Sequence, residues 1–161
     1  VRLGNGADVH DKIVLLDFGA IRQFDEHLLT VARNLIKAGY HHNADAMVKA
    51  MTGYEFFDAI PMSIKPDMAK VFLLATEAFS STTNNPNLPT GVMDEQQRYD
   101  WKKSQLHSRV MQQTSKSMTS RYFTVPPKEF MFISRKFIGA YTFMTVMQAK
   151  TNVRKMITAF I

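Results

Sequence analysis

Ile13-Val14-Leu15-Leu16-Asp17-Phe18-Gly19-Ala20 is the stretch that decides how this chain is read. Its first four residues form a continuous apolar run, β-branched at the start and preceded by a turn rich in Gly and Asp, so it reads as a buried strand. Upstream, Val1-Arg2-Leu3 followed by Gly4-Asn5-Gly6 reads as a strand entering a hairpin turn, where Asn5 suits a positive φ. The strand ends in an acid. An Asp in that position either caps the next turn or offers a hard anionic oxygen to a cation such as magnesium, and the glycine lets the backbone turn sharply afterwards.

Beyond this hairpin almost every segment has helical period. Asp25 is a good N-cap for a helix to about Ala38, with Leu28, Leu29, Ala32, Leu35 and Ile36 on one side and Gly39 as its stop. Asn43 caps a second helix over residues 44–52. Pro66-Asp67 opens a third, striped by Met68, Val71, Phe72, Ala75 and Phe79. Residues 80–93, with Asn84-Asn85-Pro86 and Pro89, read as a polar turn-rich loop suited to disorder or insertion. A charged amphipathic helix is expected over residues 94–112, and a connection over 115–124. Pro126-Pro127 starts a long helix to about Lys150, with Phe130, Ile133, Phe137, Tyr141, Met144 and Met147 inward, before a last helix over residues 152–160.

Composition bounds the function. The chain of 161 residues suits one domain, and 45% apolar with 21% charged residues argues against disorder. Without cysteine, disulfides and thiolate metal sites are excluded. The five histidines include His41-His42 but no spacing that sets two imidazoles beside a carboxylate on one helical face. Phe137 to Ala149 is too short an uncharged run to span a bilayer. Eleven methionines fit adaptable core packing or an apolar contact surface. The net charge of +6 is unevenly spread: residues 98–161 hold 12 Lys/Arg against Asp100 and Glu129, and the acids lie mostly before them. Such a basic half suits an anionic partner or a solvated surface.

Asp-Phe-Gly at the end of a hairpin strand is how kinase-like folds deliver a magnesium ligand to nucleotide phosphates. Val14-Leu15-Leu16-Asp17-Phe18-Gly19-Ala20-Ile21-Arg22-Gln23-Phe24 resembles the metal-binding segment of the UbiB/ADCK (aarF-domain) family of atypical kinases. Met51-Thr52-Gly53-Tyr54-Glu55, Glu77-Ala78-Phe79, and Pro126-Pro127-Lys128-Glu129 with Ser134-Arg135-Lys136-Phe137-Ile138-Gly139 resemble its C-terminal signatures in the same order. Its coenzyme-Q-associated members are the most similar in character. The resemblance implies one mainly α domain over residues 1–161, a helical kinase-like C-lobe fragment with a short N-terminal β-hairpin. Residues 1–24 carry the hairpin and Asp-Phe-Gly, and residues 25–161 are helical. It also implies Mg2+ and ATP bound by the intact protein, with Asp17 (Phe18 and Gly19 completing the motif) as metal and nucleotide ligand. ATPase or kinase-like activity would then support ubiquinone biosynthesis. The expected place is peripheral on a membrane: the mitochondrial inner membrane in a eukaryote, the cytoplasmic side of the inner membrane in a bacterium. The other catalytic residues would lie ahead of Val1, so the chain reads as a fragment with no catalytic set of its own. A different class stays open, a non-catalytic helical module binding protein or lipid.

Arg135 interrupts the apolar stripe of the long helix, and a buried guanidinium needs a carboxylate; Glu55 or Glu77 is the expected partner of a structural clamp. A solvated Arg135 at the stripe's edge is the alternative. Arg98, Lys102, Lys103 and Arg109, interleaved with Tyr99 and Trp101, would make one helical face basic and suit an anionic membrane surface or an acidic quinone-biosynthesis protein. No nucleic-acid motif accompanies that charge, and no nucleic-acid partner is expected.

Overall fold

Asp25 begins the first helix as its spacing demands: its carboxylate accepts the Leu28 N–H at 2.7 Å, satisfying a donor that the first turn leaves orphaned. The computed structural model describes residues 23–118 and 127–161, with the backbone alone at 116–118. The expected N-terminal hairpin, with Asp17, lies outside the described residues. The rest is mainly α-helical. Helices α1 (Glu26–Tyr40), α2 (Ala44–Ala50), α3 (Glu55–Asp58) and α4 (Lys65–Ala75) are followed by a 3-10 turn at Glu77–Phe79. Strand β1 (Tyr99–Asp100), α5 (Trp101–Ser104), α6 (Leu106–Met118), α7 (Lys128–Val146), β2 (Lys150–Thr151) and α8 (Val153–Ile157) then lead to a closing 3-10 turn at Thr158–Phe160.

Two apolar clusters hold the helices. The first joins α1, α2, α3 and α4 through Leu28, Leu35, Met47, Met51 and Phe57, capped by Phe130 of α7. Phe57 is fully buried and meets Phe130 edge-on, with ring centroids 5.1 Å apart. Burying such a ring contributes about 1.5–3 kcal/mol. The second cluster gathers Phe79, Val92, Tyr99, Trp101, Leu106 and Tyr141. Lys65, also buried, donates from Nζ to Met51 O at 2.9 Å. A cation at the C-terminal end of α2 is favourable there, because the carbonyl ends of a helix are partly negative.

Several boundaries differ from the sequence reading. Gly39 lies inside α1, and His42, with φ +48°, makes the left-handed turn into α2. Gly39 has a packing role instead: a Cβ there would overlap the Thr76 side chain, so only glycine lets α1 pass the end of α4 this closely. Residues 94–112 are not one helix. Tyr99 and Asp100 pair antiparallel with Thr151 and Lys150, and Gln105 in the left-handed region (φ +48°) divides α5 from α6. Residues 115–118 continue α6 rather than forming a connection, whereas α7 ends at Val146 because Lys150 is taken into β2. The loop over residues 80–93 is packed, not loose. Ser80, Asn85 and Val92 are buried, Asn84 donates to Tyr40 O at 2.8 Å, and Asn85 donates to Ser80 Oγ at 3.2 Å. Asn and Ser side chains have substituted for regular structure in satisfying the backbone. Of the methionines, Met47 and Met51 are fully buried, while Met62, Met111, Met131, Met147 and Met156 are exposed.

Candidate functional site

Asp17, Phe18 and Gly19 lie outside the described residues; the chain is first seen a few residues later. Phe24 is half-buried on the first cluster, its ring centroid 6.1 Å from that of Phe132 in α7, and Asp25 then caps α1. Phe24 and Asp25 are thus seated on the helical body, one by an aromatic contact and one as a cap.

The strongest polar constellation centres on Glu77. Its residue is 3% exposed, deep enough that an unpaired carboxylate would be prohibitive. Arg109 of α6 donates from Nη1 to Oε1 at 2.8 Å and from Nη2 to Oε2 at 2.7 Å. Tyr99 of β1 donates its hydroxyl to Oε1 at 2.6 Å. A planar guanidinium matches a carboxylate in this two-pronged way, which adds geometric specificity to charge. Burial, then the Glu77 charge and hydrogen bond, push the Tyr99 phenol well above its ordinary value. The hydrogen bonds to Glu77 raise Arg109 in turn. These three hydrogen bonds make a structural clamp that joins the 3-10 turn, β1 and α6.

Glu77 is therefore in a clamp, as the sequence reading expected, but its guanidinium partner is Arg109 and not Arg135. Arg135 is exposed on α7, and so is Glu55 at the start of α3. The reason is rotational: residue 135 falls between the inward positions Phe130 and Tyr141 and turns away from the core.

The basic face is corrected by the same observation. Arg109 is committed to Glu77. Arg98 is held by Asp94, with Nε to Oδ2 at 2.8 Å, and the Arg98 backbone N–H is the first cause of the lowered Asp94 carboxyl. Lys103 reaches toward Gly91, where a Cβ would run into its Nζ. Lys102 is exposed on α5. Arg98 precedes β1, Lys102 and Lys103 lie on α5, and the break at Gln105 puts Arg109 on α6, so the four form no single helical stripe.

Two further features were not legible in the sequence. Arg154 of α8 stacks 3.5 Å from the centroid of the Tyr40 ring and donates to Tyr40 O at 2.6 Å and Phe79 O at 3.1 Å. His42 has a buried Nδ1 without a hydrogen-bond partner among the described residues, and burial lowers its titration despite the nearby Glu77. No local motif marks either one.

Among the described residues, no group of three or more His, Asp or Glu side chains is placed to hold a metal ion. The buried Glu77 carboxylate is already saturated by Arg109 and Tyr99. No described helix is long and apolar enough to cross a membrane. Comparison with protein-family models, curated proteins and solved structures gave no match.

Proposed function

We propose that this chain is the helical part of an atypical kinase- or ATPase-like protein of UbiB/ADCK character. In that reading the intact protein binds Mg-ATP, with Asp17 as a metal ligand, and supports ubiquinone biosynthesis at a membrane surface. The observation that supports it is that Phe24, five residues beyond Gly19, packs on α7 and the next residue, Asp25, caps α1. A metal-ligating turn must be held rigidly to be useful, because a loosely held ligand loses much of its contribution. Bound magnesium would supply charge neutralisation for phosphoryl transfer. The helical body that follows Asp17 in the chain is stiffened by the Glu77–Arg109 clamp.

The test is magnesium-dependent nucleotide binding by the full-length protein, measured by calorimetry for wild type and Asp17→Asn. Loss of binding in the variant is expected, with unchanged thermal stability. Equal binding would remove Asp17 from the site and with it the proposal.

A second reading, a non-catalytic module contacting protein or lipid, is favoured by the outer face of α7. Met131, Phe143 and Val146 of α7 and its C-cap Met147 are all exposed, and clustered exposed apolar side chains mark contact surfaces.

A further inference from the structure

A groove of about 820 Å³ runs between α1 and the C-terminal segment. Its walls are mainly apolar. Leu29, Ala32, Arg33 and Ile36 of α1 have the spacing i, i+3, i+4, i+7, which gathers side chains on one face of a helix. The other wall is Val153, Met156 and Ile157 of α8, continued by Ala159, Phe160 and Ile161 in and after the closing 3-10 turn. The α1 stripe and the C-terminal segment therefore face one trough with no third element between them among the described residues, and Met156 (68%) and Phe160 (72%) stand far into solvent at its edge. A trough between two helices matches the cylinder of a third, about 10 Å across. A flat bilayer face would reach only its rim.

The charges around the trough have one dominant sign. Arg33 is the one charged side chain among the described residues that line it, and Lys155, next to Met156 on α8, is exposed. The acid close by on α1, Glu26, meets Arg33 only at 3.8 Å between exposed side chains, an attraction that water and salt weaken. Residues 130–161 contain no Asp or Glu. An incoming helix with a basic polar face would be repelled, and one with an acidic polar face attracted.

We infer that the α1–α8 groove is a docking site for an amphipathic helix of another protein, one that presents an apolar stripe flanked by Asp and Glu. Leu29, Ile36, Met156 and Phe160 receive the stripe, with methionine adapting to its side chains, and Arg33 and Lys155 meet the acids. This site is separate from the α7 face and independent of nucleotide binding: Asp17→Asn leaves it untouched.

The test uses the full-length protein and two fluorescein-labelled synthetic helices of about five turns with the same leucine stripe, one with Glu and one with Lys on its polar face. Fluorescence anisotropy should show the Glu helix binding at least about tenfold more tightly, and more weakly as salt rises. Met156→Glu should weaken it by a similar factor. Arg33→Glu should shift preference toward the Lys helix. Both positions are exposed, so both variants are expected to keep the wild-type circular dichroism spectrum. Equal affinity for the two helices, absence of binding, or affinity unchanged in both variants would overturn the inference. So would flotation with anionic phospholipid vesicles that is sensitive to Met156→Glu while neither helix binds, since the groove would then face lipid.

Discussion

Arg109 and Glu77 are joined by two parallel hydrogen bonds, Nη1 to Oε1 and Nη2 to Oε2, across a separation of 32 residues. Glu77 has little solvent to fall back on, with its side chain 4% exposed, whereas Arg109 retains 32%. The two partners are therefore unequal in what their removal leaves behind.

Arg109→Ala strands a buried carboxylate and is expected to cost about 3 kcal/mol, toward the low end for a broken buried pair because Arg109 is partly wet. Pairing it with Glu77→Gln should recover part of the loss, since a neutral amide is cheaper to bury. Arg135→Ala, on the exposed face of α7, should stay within about 0.5 kcal/mol of wild type. Urea unfolding of the four proteins measures all three differences, and a large loss for Arg135→Ala would restore that residue as a clamp.

His42 gives the stability a pH dependence of known sign. Burial holds its folded titration below the ordinary 6.5, so on acidification the unfolded state takes up the proton first. Its contribution is thus complete above the unfolded value and is lost as pH falls through the folded one. His42→Asn keeps a side chain tolerant of the positive φ and removes the titration. Melting temperature measured between about pH 7 and pH 5 should fall more steeply for wild type than for the variant; parallel slopes would exclude His42 as the source.

Two helical glycines should respond oppositely to alanine. At Gly39 a Cβ overlaps Thr76, so Gly39→Ala should cost about 1–3 kcal/mol as an overpacked contact. At Gly139, inside α7, a Cβ meets nothing within 4 Å, and Gly139→Ala should stabilise by about 0.5–1 kcal/mol through helix propensity alone. Thermal melts moving in the same direction would contradict this packing.

Arg154 is the polar pin of the C-terminal segment, through the Tyr40 ring and the Tyr40 and Phe79 carbonyls. Arg154→Lys keeps the charge but loses the planar stacking and the reach to both carbonyls. Amide hydrogen exchange over residues 153–160 should speed up by about tenfold, equivalent to roughly 1.4 kcal/mol of local opening, with little change in α1. Unchanged exchange would mean that the apolar contacts of Val153 and Ile157 hold the segment unaided.

The sequence by itself determined the features written in neighbouring residues. Asp25 caps α1 through Leu28, Asn43 caps α2 through Ala46, Pro66 lies in the first turn of α4, and Pro127 precedes α7. A cap needs only a donor three residues away, and a helix stripe needs only its own period, so the mainly α fold and most helix starts were legible. Tertiary structure decided what depends on distant partners. The pairing of Tyr99–Asp100 with Lys150–Thr151 broke the expected helix over residues 94–112 and ended α7 early. The packed Asn84 and Asn85 closed a segment whose composition read as loose. Above all, Glu77 found Arg109 where Arg135 was expected, because helix rotation sets which guanidinium faces a buried acid, and that rotation follows from how whole helices bury their apolar faces.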